Sequence, residues 1–151
     1  MVCTGNLCRS PLAAALLRRM LKDAGIEHRV TVVSAGIAAL DGQPAAALAL
    51  EVAAEVGLDL AGHRSRAVDR EAMRGADLIV TMEQVQREAL AEAFPARAER
   101  IHLLSTLAGE EGDVADPYGT GSSSAYQACL QRLEVLLRKA LPRILSELDV
   151  R

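Results

Sequence analysis

Aromatic side chains are nearly absent from this sequence. Its 151 residues include no tryptophan, one phenylalanine and two tyrosines, although 50% of the residues are hydrophobic. The core must therefore be aliphatic, built from Ala, Leu, Val and Ile side chains. The length predicts a single domain over residues 1–151, which is large enough to bury such a core.

Positive charge and long apolar runs are lacking as well. The formal net charge is −3 at pH 7, so the basic surface typical of nucleic-acid binding is not expected. The apolar run at 12–17 is much shorter than the roughly 20 residues that cross a bilayer, and arginines flank it. We find no basic leader and no cleavage pattern, so neither a membrane segment nor a signal peptide is predicted.

Cysteine and histidine residues are too few and too far apart in the sequence to predict a disulfide scaffold or a metal site. Three cysteines, an odd number, favour a reducing cytoplasm over a disulfide scaffold. The three histidines are far apart in the sequence and none of them adjoins a pair of cysteines. No metal ion and no other cofactor is therefore predicted.

What the sequence does contain is an alternation of strands and helices. Apolar periodicity and Gly or Pro breaks predict helices over 10–24, 44–56, 69–74, 83–94 and 124–148, and strands over 29–34, 77–81 and 101–104. A further short strand precedes Cys3. This order favours an α/β fold, a single domain with a central parallel four-stranded sheet and helices on both faces. Ligands of such folds bind at the carboxyl ends of the strands, where Cys3 is located.

The segment Cys3-Thr-Gly-Asn-Leu-Cys-Arg-Ser-Pro11 fits that position as a phosphate-binding loop. Successive backbone N–H groups of such a loop attract an anion, as does the N-terminus of the following helix. Gly5 allows the backbone to approach the anion closely, and Asn6 tolerates the left-handed conformation that a tight curl requires. These groups favour the nucleophilic thiolate of Cys3, while the Arg9 guanidinium grips two phosphate oxygens.

A cysteine and an arginine six positions apart are a weak signal by themselves, because a buried cysteine beside a surface arginine has the same spacing. Here Gly, Asn, Ser and Pro each stand where a strand, loop and helix around an anion would use them. Ser10 is placed to cap the helix or to donate to the Cys3 sulfur, and Pro11 suits a first helical turn. The functional interpretation is therefore the stronger one.

The same residues resemble the signature of the low-molecular-weight protein tyrosine phosphatases. Asp116-Pro117-Tyr118 resembles the general-acid loop of that family, and segments 34–36, 57–66 and 76–82 follow in the family's order. The resemblance covers nearly the whole chain. It implies hydrolysis of a phosphorylated protein through a cysteinyl-phosphate, without a metal ion. It further implies catalytic roles for Cys3, Arg9 and Asp116, and binding of phosphate or substrate by Thr4, Gly5, Asn6, Leu7, Cys8, Ser10, Leu40 and Tyr118.

Two acidic residues compete for the role of general acid. An aspartate before a proline often does no more than open a turn. Together with the loop at Cys3, however, Asp116 is predicted to protonate the leaving group and then to deprotonate water. Asp113 is interpreted as a solvated loop charge. Tyr118 provides an aromatic wall beside the acid for an aryl substrate.

Cys8 has two open interpretations. The resemblance implies a second cysteine that forms a disulfide with Cys3 under oxidation and so protects the nucleophile from irreversible damage. A small buried core residue accounts for Cys8 equally well. Cys129, in the last predicted helix, is interpreted as a core residue.

The predicted substrate class depends on the rim of the site. Bacterial relatives that dephosphorylate phosphoarginine carry threonine where this chain has Leu7, and segment 112–119 is also similar to theirs. A leucine suits a phenyl ring better than a guanidinium, so we predict phosphotyrosine, with phosphoarginine as the alternative. In many family members an aromatic residue a few positions after segment 34–36 forms the wall opposite the residue that matches Tyr118. The resemblance therefore implies that Leu40 is what this chain supplies there. Arsenate reduction, another use of this fold, requires further cysteines near Met82, and none is there.

The first strand is short for this family. Only two residues precede Cys3, whereas the family's loop follows a strand of several apolar residues. Either residues before Met1 are missing from the sequence, or the protein tolerates a shortened strand. Lost ladder hydrogen bonds loosen the loop, and loose positioning lowers catalytic power. A phosphate-binding regulatory module without turnover is therefore an alternative to an enzyme.

Overall fold

The computed structural model describes residues 1–150 and contains a parallel sheet of four strands. These are β1 (Val2–Cys3), β2 (Ala35–Gly36), β3 (Ile79–Thr81) and β4 (Ile101–Leu103), in the spatial order β2-β1-β3-β4. All strand pairs are parallel. The α-helices are α1 (Arg9–Asp23), α2 (Ala47–Glu55), α3 (Arg70–Gly75), α4 (Gln84–Ala93), α5 (Leu104–Leu107) and α6 (Ser123–Glu147), with 3₁₀ helices at Glu27–Arg29 and Pro95–Arg100.

Apolar side chains cover both faces of the sheet, as the predicted α/β fold requires. On one face Val2, Ile79 and Ile101 pack with Met73 of α3 and Leu90 of α4. On the other face lies a larger aliphatic cluster that includes residues of α1, α2 and α6. The alternation of side chains along each strand separates these two clusters. The predicted fold is therefore confirmed.

Helix α6 shows how an aliphatic sequence builds this core. Its buried side chains recur every three or four residues, so they form one continuous face: Tyr126, Cys129, Leu130, Leu133, Leu136, Leu137, Ala140 and Ile144. Ser122 starts the helix, since its hydroxyl accepts a hydrogen bond from the Ala125 N–H at 3.2 Å. Within residues 1–150, no helix is long and apolar enough to cross a membrane.

The predicted strand at 29–34 is wrong. The paired residues are Ala35 and Gly36, and residues 27–29 form a 3₁₀ helix instead. β1 contributes only Val2 and Cys3, which pair with Ala35 and Gly36. Residues 30–34 have the apolar character of a strand but no adjacent strand with which to form a ladder. The other predicted helices and strands are confirmed to within three residues at each end.

Candidate active site

A pocket of about 240 Å³ opens beside the carboxyl end of β1. Its lining residues come from three separate parts of the chain: Cys3, Thr4, Gly5, Leu7, Cys8, Arg9, Ala38, Leu40, Gln43, Asp116 and Tyr118. Every site residue predicted from the sequence lines this pocket except Asn6 and Ser10, which are buried beside Cys3. The sequence did not single out Ala38 and Gln43.

The Cys3 sulfur is enclosed by hydrogen-bonding groups of its own loop. The Asn6 backbone N–H donates to Sγ across 3.3 Å, and the Ser10 hydroxyl lies 3.0 Å from it. Only 3% of Cys3 is exposed. Hydrogen-bond donors of this kind and the N-terminus of the α1 helix that follows are groups that attract an anion. The arrangement therefore suits a nucleophilic sulfur, and Ser10 reaches it as predicted.

Asn6 holds the loop in its curled shape. Its φ of 56° lies in the left-handed region, as predicted, and the residue is fully buried. The side-chain amide donates to Ser10 Oγ at 2.8 Å and to Ser34 Oγ at 2.9 Å, while its oxygen accepts from the Arg66 N–H at 3.0 Å. Its backbone oxygen pairs with the His63 ring at 2.7 Å. One side chain thus ties the loop to two neighbouring segments.

Close packing against the loop requires a glycine at position 36. A Cβ there would lie 2.5 Å from the Thr4 carbonyl oxygen and 2.9 Å from the Asn6 nitrogen, both of them backbone atoms. A Cβ at Gly5 would contact only Leu7, at 3.8 Å. Within the protein, Gly36 is therefore the glycine that the loop cannot do without, and the role of Gly5 toward an anion stays a prediction.

Arg9 is the first residue of α1 and lies between two carboxylates. Its Nη1 donates to a Glu83 carboxylate oxygen and to the Val114 carbonyl oxygen, the latter at 3.0 Å. Its Nη2 lies 3.2 Å from Asp116 Oδ2. Only 1% of the residue is exposed. The structure therefore rules out the alternative of a surface arginine beside a buried cysteine.

Glu83 and Gln86 belong to this site, and the sequence analysis missed both. Glu83 precedes α4 and forms a capping box with Gln86. The Gln86 amide also donates to Glu83 Oε1 at 3.2 Å and to Thr4 Oγ1 at 3.1 Å. This pair therefore links the group that holds Arg9 to the phosphate loop. One feature of the sequence could have identified Glu83 and Gln86. They follow β3, and so lie at the same edge of the sheet as Cys3.

The two candidate acids have different surroundings. Asp116 lines the pocket, and its carboxylate accepts from the Tyr118 N–H at 3.1 Å in addition to its ion pair with Arg9. The Asp113 carboxylate instead accepts from the Gln84 N–H at 2.8 Å, at the start of α4. Asp113 therefore stabilises a helix terminus, whereas Asp116 lines the same pocket as Cys3.

The outer part of the pocket is apolar and exposed. Leu40 is 76% exposed and Tyr118 is 61% exposed, and the half-buried Leu7 of the loop lines the same pocket. A hydrogen bond holds the segment that carries Leu40, because the Ser65 hydroxyl donates to the Leu40 carbonyl oxygen. Leu40 and Tyr118 thus line one opening, and their role as walls for a substrate stays a prediction.

The other two cysteines are buried thiols. The Cys8 sulfur donates to the Tyr126 hydroxyl at 3.4 Å. Burial raises the pKa of Cys8 to about 11 and the pKa of Cys129 to about 12, so both carry their proton at neutral pH. Cys129 is confirmed as a core residue. No disulfide is present among the described residues, and a redox pairing of Cys8 with Cys3 stays a prediction.

Comparison with known proteins gives one consistent result. Residues 1–150 match the family model described as low molecular weight phosphotyrosine protein phosphatase. The chain is 37% identical over 143 residues, 95% of its length and 92% of the relative's, to a probable low molecular weight protein-tyrosine-phosphatase, EpsP, of Ralstonia nicotianae.

Two solved structures resemble the whole fold. The crystal structure of a low molecular weight protein tyrosine phosphatase from T. tengcongensis superposes with a TM-score of 0.88 at 35% identity, covering 94% of this chain and 95% of that one. A mutant of the YwlE arginine phosphatase with a phosphorylated active-site serine gives a TM-score of 0.88 at 35% identity, covering 96% and 93%. The chain belongs to the low molecular weight phosphotyrosine protein phosphatase family.

Proposed function

We propose that this protein hydrolyses phosphotyrosine in proteins through a cysteinyl-phosphate intermediate. The observation that carries the proposal is the meeting of Cys3, Arg9 and Asp116 at one pocket of about 240 Å³. A nucleophile, an anion clamp and an acid are the three parts that this reaction requires.

In the first step the Cys3 sulfur attacks the phosphorus in line with the bond to the leaving oxygen. Charge then spreads over the three equatorial phosphoryl oxygens, and donors fixed in advance stabilise it. The loop N–H groups supply some of these donors. Within residues 1–150, both hydrogen bonds of the Arg9 side chain are donated by Nη1. Its Nη2 makes only the ion pair with Asp116. Nε and Nη2 are therefore available to bind phosphate oxygens. Because these groups provide the positive charge, the proposed step uses no metal ion.

Asp116 then serves both halves of the reaction. As an acid it protonates the departing phenolic oxygen, which is a poor leaving group without a proton. As a base it deprotonates the water that attacks phosphorus and releases phosphate from Cys3. Its 44% exposed side chain has the access to water that the second half requires.

The apolar rim favours a phenyl ring over a guanidinium. Leu7, Leu40 and Tyr118 surround the opening with apolar surface, and a ring buries such surface without leaving unpaired donors. A guanidinium would bring N–H groups against leucine side chains, where they lose their hydrogen bonds to water. The rim therefore supports phosphotyrosine.

Arginine phosphatase activity is the second candidate. It is favoured by the fold-wide similarity to YwlE, and it would use Cys3, Arg9 and Asp116 in the same roles. Leu7 is the residue expected to separate the two candidates, because the resemblance drawn from the sequence implies a threonine there for phosphoarginine.

The test is turnover on two peptides that differ only in the phosphorylated residue. We expect the wild-type protein to hydrolyse the phosphotyrosine peptide faster, and Leu7→Thr to shift kcat/KM toward the phosphoarginine peptide. A wild-type preference for phosphoarginine would replace the first candidate by the second. If the protein bound phosphate but hydrolysed neither peptide and no aryl phosphate, the result would support a phosphate-binding regulatory module without turnover.

A reducing cytoplasm is the proposed compartment. Its support is the presence of three free cysteines, all of them buried, among residues 1–150. The proposed nucleophile is active only as a free thiolate, which an oxidising compartment would not preserve.

A further inference from the structure

The Gln86 side chain is buried, and its hydrogen bonds fix which way its amide points. Its Oε1 accepts from the Met82 N–H at 3.1 Å and from the Glu83 N–H at 3.0 Å. Its Nε2 donates to Glu83 Oε1 at 3.2 Å and to Thr4 Oγ1 at 3.1 Å. Only 3% of Gln86 is exposed. The opposite orientation would set the amide nitrogen against two backbone donors, so the orientation is determined.

This orientation decides the role of the Thr4 hydroxyl. An amide nitrogen can only donate, so Thr4 Oγ1 is the acceptor in its contact with Gln86. The hydrogen of the hydroxyl then points elsewhere, and within residues 1–150 no acceptor receives it. Thr4 is exposed, adjoins Cys3 and lines the active-site pocket. Its hydroxyl is therefore a donor that a ligand of the pocket can use.

The Thr4 hydroxyl is held by the same pair of side chains that holds the phosphate clamp. Glu83 Oε1, which accepts from Gln86 Nε2, also accepts from Arg9 Nη1. The Glu83 carboxylate and the Gln86 amide thus contact Arg9 at one end and Thr4 at the other. A phosphoryl oxygen has several lone pairs and carries negative charge, so it can accept from a hydroxyl and from a guanidinium together.

We propose that the Thr4 hydroxyl donates a hydrogen bond to a phosphoryl oxygen of the substrate, and that Gln86 is the positioning residue that aims it. This role rests on the proposed function and adds a side-chain donor to the loop N–H groups and Arg9. Its target is the phosphoryl group, which every substrate of the pocket has in common. The hydroxyl therefore strengthens phosphate binding and turnover without choosing between phosphotyrosine and phosphoarginine.

The first experiment compares Thr4→Val with Thr4→Ser. Valine keeps the branched shape and loses the hydroxyl, whereas serine keeps the hydroxyl. The readouts are calorimetric binding of inorganic phosphate, and kcat/KM on a phosphotyrosine peptide and on nitrophenyl phosphate. We expect Thr4→Val to weaken phosphate binding and to lower both kcat/KM values by about 10–100-fold, the effect of losing a hydrogen bond to a charged group. Thr4→Ser should stay close to wild type in all three readouts.

The second experiment tests Gln86 through a double-mutant cycle. In Gln86→Glu the carboxylate still accepts from the two backbone N–H groups, but it cannot donate to Thr4 and draws the hydroxyl hydrogen out of the pocket. It also adds a negative charge beside Glu83, an effect that does not involve Thr4. We expect Gln86→Glu to cost at least ~10-fold less in kcat/KM in the Thr4→Val background than in wild type. Equal costs in the two backgrounds would show that Gln86 does not act through Thr4.

Two results would overturn the hydroxyl contact. One is wild-type affinity for inorganic phosphate in Thr4→Val. The other is a loss of kcat/KM on the phosphotyrosine peptide alone, which would place the hydroxyl against the rest of the substrate. Phosphate binding needs no turnover. An inactive wild-type protein would therefore contradict the proposed function, while the phosphate affinity of Thr4→Val would still decide whether the hydroxyl binds the phosphoryl group.

Discussion

The phosphate loop and the rim of the active site differ sharply in how firmly they are held. In the loop, Asn6 is fully buried and Arg9 is 1% exposed, and each makes several hydrogen bonds. At the rim, Leu40 and Tyr118 are 76% and 61% exposed. The groups proposed to act on phosphate are thus fixed by the interior, whereas the groups proposed to contact the rest of the substrate are exposed. Substitutions in the loop should therefore impair the reaction itself, and those at the rim should alter the choice of substrate.

The largest effect is expected for Arg9→Lys. Lysine keeps the charge but loses the planar fork, so it cannot hold two phosphoryl oxygens while bound to Glu83. We expect kcat to fall about 10³–10⁵-fold. The matched control is Arg18→Lys on the exposed side of α1, which should leave kcat unchanged. A near-normal kcat in Arg9→Lys would show that the fork plays no part in the reaction.

Asp116→Ala should follow, with an effect that depends on the leaving group. On phosphotyrosine the rate should fall about 10²–10⁴-fold, because the departing oxygen is no longer protonated. On a nitrophenyl phosphate the fall should be smaller, since nitrophenolate leaves without a proton. Initial rates on both substrates measure the difference.

Asp113→Ala is the control for that assignment. It removes the hydrogen bond to the Gln84 N–H at the start of α4, so a small loss of thermal stability is expected with nearly unchanged kcat. If the two aspartate variants behaved alike, or if Asp113→Ala were the slower enzyme, the acid would be wrongly assigned.

The sequence predicted the parts of the site that lie within one short motif. Cys3, Asn6, Arg9 and Ser10 lie close together in the sequence, and the residue types around them indicated their roles. The distant Asp116, Leu40 and Tyr118 were predicted through the resemblance to a family. Glu83 was missed because it meets Arg9 from 74 positions away, and no local pattern marks that meeting. The role of Gly36 was missed for the same reason, since the Thr4 backbone that crowds it belongs to the distant loop after β1.

The misplaced strand has a similar physical cause. Val30, Val32 and Val33 have the composition of a strand, but a strand also requires a neighbour to pair with. Pairing is decided by β1, which supplies only two residues. Composition and periodicity therefore predicted most of the sheet and its helices correctly. They failed at residues 29–34, because the short length of β1 decides whether those residues can pair.

Asn6→Ala should loosen the loop without removing a catalytic group. The substitution deletes three side-chain hydrogen bonds and places alanine at a φ of 56°. We expect the free energy of unfolding to fall by about 1–3 kcal/mol and kcat to fall about 10²-fold. Ser34→Ala, which removes only one of the partners, should give a smaller loss of both. Equal effects of the two variants in denaturant titrations and kinetics would contradict this role of Asn6.

The smallest effect is expected at the rim. Leu40→Ala should raise KM for a phosphotyrosine peptide ~3-fold through lost apolar contact, while kcat stays the same. The KM for a small aryl phosphate should change less, because that substrate has no peptide flanks to contact Leu40. A large fall in kcat would mean that the rim takes part in the chemistry, against the distinction drawn between rim and loop.

The central claim is that phosphate passes through the Cys3 sulfur. The direct measurement is mass spectrometry of acid-quenched protein during turnover of nitrophenyl phosphate, for wild type, Asp116→Ala and Cys3→Ala. We expect one phosphoryl group on the peptide that contains Cys3, more of it in Asp116→Ala because water is no longer activated to release it, and none in Cys3→Ala, which should be inactive. Turnover by Cys3→Ala, or turnover by Asp116→Ala without phosphate on Cys3, would contradict the account.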